Sequence, residues 1–249
     1  MNLSNQDVQL AQQMFTSSST PQHQLGQRGC SADGRVYRYV KAGAVDLIAG
    51  NVIQSPAVVA GHLTLAVNTT SGGTSIGSLN FSVTCASTVA ANFYADGYAV
   101  IATGAGQGVG PYTINNHAAV STGATGLFNL YAEDAFVVAI TTTSKISLVQ
   151  NKYSGVIQLP AATATGVIVG VAVSVITAAQ FGWIQTWGPC SVKGADTTAA
   201  GAWVYGPATA CGEASGFTAA TLLTGQVIGH LMQANVAQQY VAVDLTISP

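Results

Sequence analysis

Val167-Ile168-Val169-Gly170-Val171-Ala172-Val173-Ser174-Val175 carries valine at every odd position. Successive side chains of a strand point to opposite faces, so this spacing gathers the valines into one row. The apolar run around it, residues 166–176, has no basic flanks. It is also too short to span a bilayer, which takes about 20 residues. It reads as a strand.

The same period recurs on both sides. Leu63, Leu65 and Val67 share a face, and Leu79, Phe81 and Val83 alternate with Asn80, Ser82 and Thr84. Near the end Val241, Val243, Leu245 and Ile247 alternate with Ala242, Asp244, Thr246 and Ser248. Turn formers separate these runs: Ser71-Gly72-Gly73, Gly104 to Gly110 with Pro111, and Gly188-Pro189. Short strands with Gly and Pro punctuation predict an all-β fold, an antiparallel sandwich or barrel with only very short helices.

Three parts are expected along the chain. Residues 1–27 are rich in Gln and Ser and read as an N-terminal arm that orders against a partner. Val8, Ala11 and Phe15 have helical spacing behind Ser4 as a cap, and Val8, Leu10, Met14 and Phe15 are the arm's expected contacts. Further on, Ala90 to Tyr98 echoes Ala178 to Trp183. Each segment reads as a helical turn capped by Thr88 or Thr177, a glycine able to take positive φ, and an aromatic residue opening a strand. The echo predicts two related β subdomains, 28–155 and 156–249, joined near Asn151 to Pro160.

Composition narrows the function. Only 6% of the 249 residues are charged, with seven basic and nine acidic side chains and a net charge of −2. Typical chains carry about 25%. So few cations neutralise few phosphates, which argues against nucleic acid as a partner. High hydrophobicity argues against disorder. Met1 to Asp7 lacks the charged and apolar regions of a secretory signal, so the chain is expected to stay in the cytoplasm where it is made. There the four cysteines, Cys30, Cys85, Cys190 and Cys211, are expected as reduced thiols, with a Cys190–Cys211 bridge as the leading exception.

Catalytic patterns dissolve on inspection. Gly73-Thr74-Ser75-Ile76-Gly77 matches G-x-S-x-G, but the motif needs a helix after the serine and an alternating strand follows. Gly104 to Gly110 lacks the Lys of a phosphate loop and leads into a strand, so a long hairpin loop is expected. His23, His62, His117 and His230 show no metal-ligand spacing. Glu133 and Asp134 would face opposite sides of a strand, leaving a carboxylate pair to recruit Asp96 or Asp46. No catalytic residue, cofactor or metal is expected, and the chain reads as a non-enzyme. Phe181-Gly182-Trp183-Ile184-Gln185-Thr186-Trp187 is the most distinctive segment. A strand there puts Trp183, Gln185 and Trp187 on one face, either as core or as a subunit interface or sugar-stacking platform.

Several segments, in order, resemble the head decoration or cement proteins of tailed bacteriophages. They are Asp33 to Gly43, Gly50 to Pro56, Ala91 to Gly97, Lys145 to Tyr153, Gly170 to Ala172 and Phe181 to Thr186. The resemblance runs from about Leu25 to the C-terminus, and the arm before Leu25 lies outside it. It implies a homotrimeric virion protein on the capsid exterior, bound to the major capsid protein and bridging its subunits, without enzymatic activity, nucleic acid or membrane. Phe181, Trp183 and Trp187 are then the expected subunit-interface residues. A host-attachment or carbohydrate-binding virion protein, in a head fibre or tail, is the alternative.

Overall fold

The computed structural model describes residues 7–161, 163–206, 212–216 and 225–249. The fold is all-β, and its helical content among these residues is three 3-10 turns at Gln13–Phe15, Ala60–His62 and Ala132–Asp134. The chain forms two compact units, residues 1–57 with 152–249, and residues 58–151. In the first unit β1 (Val8–Gln9), β2 (Arg28–Cys30), β3 (Val36–Ala42) and β4 (Val52–Gln54) come first. The second unit holds β5 (Leu65–Ala66), β6 (Asn80–Thr84), β7 (Tyr98–Thr103), β8 (Tyr112–His117), β9 (Thr125–Leu130) and β10 (Lys145–Val149). The chain then returns to the first unit with β11 (Ser154–Gln158), β12 (Ile168–Ala172) and β13 (Phe181–Lys193). It closes with β14 (Trp203–Gly206), β15 (Ser215–Gly216), β16 (Gln226–Leu231) and β17 (Tyr240–Thr246).

Three small rings of strands result. In the first unit β3, β11, β4, β12 and β13 close on themselves through the β13–β3 pairing. Val40, Leu47, Ile53, Val156, Ile176 and Ile184 fill this ring. The 13-residue β13 then runs on into a second ring with β17, β16, β14 and β15. A parallel bridge from Gly194 to Ala214 closes that one, beside the ion pair of Lys193 with the buried Glu213 carboxylate at 2.9 Å. In the second unit the six strands run β5-β10-β7-β8-β9-β6, and a Val67–Val83 bridge joins the ends. Closure removes exposed edges that would otherwise invite aggregation.

Each ring contains the same device twice. A strand ends, a short corner follows, and a second strand leaves; two such corners meet through one antiparallel bridge. The bridging pairs are Leu47 with Ile176, Val89 with Val120, and Thr198 with Asn235. Three residues after each bridging residue the backbone turns left-handed: Gly50, Ala179, Asn92, Gly123, Gly201 and Gln238 have φ between 57° and 79°. Its N–H then donates to a carbonyl at the end of the partner's incoming strand, as in Gly50 to Ala172 at 2.7 Å and Ala179 to Gly43 at 2.8 Å. The left-handed turn costs a residue with a Cβ roughly 1–2 kcal/mol. The paired corner offsets this by satisfying backbone groups that would otherwise be buried bare.

The predicted echo thus marks two corners of a set of six. Its details change. Both segments are turns rather than helical turns, neither Thr88 nor Thr177 caps them, and Ala91 rather than Ala90 corresponds to Ala178. The left-handed residues are Asn92, Asp96 and Ala179, while Gly97 and Gly182 matter for space. A Cβ on Gly97 would lie 2.5 Å from the Val149 carbonyl oxygen, and one on Gly182 would lie 2.8 Å from Ile176 Cδ1.

The division of the chain also differs from 28–155 and 156–249. Residues 58–151 are an insertion between β4 and β11, which are antiparallel neighbours with Gln54 opposite Ile157. Alternation reveals strands but not that β3 pairs with β13, some 140 residues on, so the insertion was invisible. The expected junction near Asn151 does coincide with the return to the first unit. Replacing residues 58–151 by a short Asn-Gly linker should leave β4 and β11 antiparallel neighbours joined by a single loop. The shortened chain is expected to unfold in one cooperative transition with its tryptophan environment unchanged, checked by fluorescence-monitored urea melts.

Candidate interaction surfaces

From Val8 on, the N-terminal segment packs into the fold of its own chain, where an arm ordering against a partner is the sequence expectation. β1 pairs in parallel with β2, and Ser18 exchanges hydrogen bonds with Phe181 at 2.9 and 2.8 Å. Leu10 and Met14 are buried with Tyr37, Tyr39 and Trp183. Gly29 makes room for Leu10 beside Trp183, since a Cβ there would lie 2.7 Å from Leu10 and 2.8 Å from Trp183. Leu10 and Met14 are therefore core residues of the chain itself. Val8 is half-buried against the same cluster, and only Phe15, 52% exposed, remains open to a partner. Ser4, the expected cap, lies outside the described residues. Leu10→Ala and Met14→Ala are each expected to lower stability by about 2–4 kcal/mol, read as a fall in the urea midpoint.

The aromatic segment splits in the same way. Trp183 is buried, edge-on to Tyr39 at 5.0 Å and near His23 at 5.1 Å, so it is neither an interface residue nor a sugar platform. Phe181 is half-buried and stacks on Tyr39. The pairing of β13 with β3 shifts register between Gln185 and Trp187. This bulge takes Trp187 off the face of Trp183 and Gln185 and leaves it 38% exposed. Gln185, buried, holds the bulge by donating Nε2 to the carbonyls of Trp187, Gly188 and Pro189.

Several titratable side chains make hydrogen bonds within the fold. In the second unit His62 and His117 both approach Tyr94. His62 Nδ1 lies 2.5 Å from the Tyr94 hydroxyl and Nε2 lies 2.8 Å from Ser87 Oγ. Burial pushes the Tyr94 phenol well above its usual range. The two ring nitrogens of His62 thus tie Tyr94 to Ser87, Nε2 lying also 3.3 Å from the Ser87 carbonyl oxygen. His117 accepts the Tyr94 N–H at Nε2 and donates Nδ1–H to Ala118, and burial lowers its pKa.

Ser75 is exposed in a turn and a strand follows it, as its surroundings predicted. Gly104 to Gly110 is the expected hairpin loop between the paired strands β7 and β8. Asp134 accepts the Thr113 N–H and Asp96 accepts the Tyr131 hydroxyl, which burial and that carboxylate push up to about 12. No group of three or more His, Cys, Asp or Glu suited to a metal occurs among the described residues. Cys30, Cys85 and Cys190 are free thiols, the last pushed up to about 12 by burial, while Cys211 lies outside the described residues.

Apolar side chains point outward on both units. At the first corner pair the bridging Leu47 and Ile176 are fully buried, while Val45, Ile48 and Val175 beside them are 65%, 46% and 55% exposed. On the second unit Tyr98 stands opposite Val149 across β7 and β10, both exposed, with Val100 two residues along. On the second ring of the first unit, Trp203, His230, Asp244 and Pro189 form a row across four adjacent strands. Trp203 is 50% exposed and lies against the His230 ring at 3.6 Å. The cross-strand partners of Trp203 follow from the register of β14, β16, β17 and β13 and not from local sequence. Comparison of the chain with protein-family models, curated proteins and solved structures gives no match.

Proposed function

We propose that this chain is a structural protein of a tailed-phage virion that decorates the outer capsid surface and stabilises the shell by bridging capsid subunits, without catalysis. The observation that carries the reading is the outward apolar surface of a chain with so few charges. Val45, Ile48 and Val175 on one unit and Tyr98, Val100 and Val149 on the other are costly to leave in water and favourable to cover. Closed rings of short strands make a rigid support for such patches. The ordered resemblance from Leu25 onward names the kind of shell. A protein bound only to the assembled state stabilises that state by mass action.

The test is co-sedimentation of the purified chain with shells of the phage that encodes it, together with light scattering of the free protein. Saturable binding, a raised shell melting temperature and a trimer are expected. A monomer that never binds shells overturns the reading. Host attachment through carbohydrate is the second reading, favoured by the half-exposed Trp203 against His230.

A further inference from the structure

A cleft of about 590 Å3 opens in the first unit along the middle of β13, where that strand passes from one ring to the other. Phe15 and Tyr240 contribute to its walls, and they are 52% and 51% exposed. Both are firmly seated. Phe15 follows the buried Met14, and the Tyr240 ring rests on Gly50, where a Cβ would lie 2.4 Å from Cε1. Arg35 and Gln185 supply polar groups to the same cleft. Arg35 spends Nε on Asp33 at 2.8 Å, and its two terminal nitrogens have no partner among the described residues. No carboxylate lines the cleft. Gln185 is 1% exposed; its Nε2 is committed to three carbonyls, and its Oε1 accepts no hydrogen bond among the described residues. The cleft therefore combines aromatic faces, an underused guanidinium and an open acceptor, in a volume typical of small-ligand sites.

We propose that this cleft binds an acidic sugar residue of the uronic or sialic type. Its carboxylate pairs with Arg35, its apolar ring face lies on Tyr240 or Phe15, and a hydroxyl donates to Gln185 Oε1. An extended peptide fits the backbone less well. Pro189 has no N–H, and the carbonyls of Trp187, Gly188 and Pro189 already accept from Gln185, so a bound strand would find little to pair with. The inference goes beyond shell decoration and gives the attachment reading a definite chemistry; it is tested without shells, so the two fail separately.

The experiment is calorimetric titration of the full chain with glucuronate-, galacturonate- and sialic acid-terminated oligosaccharides, and with glucose- and galactose-terminated counterparts. At least one acidic sugar should bind, about tenfold or more tighter than its neutral counterpart. Arg35→Gln should weaken it about 10- to 100-fold, the worth of a charged hydrogen bond. Tyr240→Ala and Phe15→Ala, both at half-exposed positions, should each weaken it several-fold with circular dichroism unchanged. The proposal is overturned by equal affinity for neutral sugars, by unaltered binding to Arg35→Gln, or by tighter binding of acidic peptides than of acidic sugars. No heat from any acidic sugar at millimolar concentration overturns it as well.

Discussion

Gly229→Ala is expected to destabilise the first unit by about 3 kcal/mol. Gly229 sits within β16, opposite Val204 on β14 and Leu245 on β17. A Cβ built there would lie 2.0 Å from the Asp244 carbonyl oxygen, 2.8 Å from its carbon and 3.0 Å from Leu245 Cα. All three are backbone atoms, so no side-chain rotation relieves the clash. β17 must move away from β16, which loosens the ring beside the fully buried Ile228, Val243 and Leu245. Val227, two residues before Gly229, is 45% exposed, and Val227→Ala should change stability by well under 1 kcal/mol. Urea melts followed by tryptophan fluorescence separate the two, because Trp183, Trp187 and Trp203 all belong to the first unit. Equal midpoints for the two variants would refute the packing argument.

Phe128→Ala should act on the second unit alone, with a loss of about 3–5 kcal/mol. Phe128 is fully buried, stacked on Phe81 at 5.4 Å and in contact with the His117 ring at 4.6 Å. Truncation removes a large buried area and an aromatic pair at once. Hydrogen exchange of amides in β6 to β9 should accelerate strongly. Tryptophan fluorescence should report the wild-type transition, since no tryptophan lies in residues 58–151. The same unit should be acid-sensitive. His117 has a pKa held below 6.5 when folded and regains its ordinary value when unfolded. The unfolded chain therefore binds more protons as pH falls below 6.5, and stability declines until the lowered folded pKa is passed. His117→Gln should flatten that decline.

How far the sequence could be read follows from these residues. Alternation in Val167 to Val175 and Val241 to Ile247 was enough for strands and for an all-β fold, because burial on one face writes itself into every second residue. The corners were half legible. Two of the six stood out, yet their left-handed residues are Gly, Ala, Asn and Gln in different copies, so no residue type marks the set. Ring closure was hidden, since β3 and β13 meet across an inserted unit. The arm misled for a related reason: Gln and Ser around Leu10 and Met14 suggest exposure, whereas these two apolar side chains suffice to pack against Tyr37, Tyr39 and Trp183. The cleft could not be foreseen. Phe15, Arg35, Gln185 and Tyr240 come from four separate stretches and converge only after the rings form.

The paired corners also make each ring a structure of two mutually dependent halves. One strand–corner–strand segment leaves its amides and carbonyls unanswered until a second copy arrives, inverted, to meet them. Each ring is therefore held shut by groups supplied from two halves of the chain rather than by either half alone. Two separately synthesised halves of the second unit, cut at the loop between β7 and β8, should still find each other in solution.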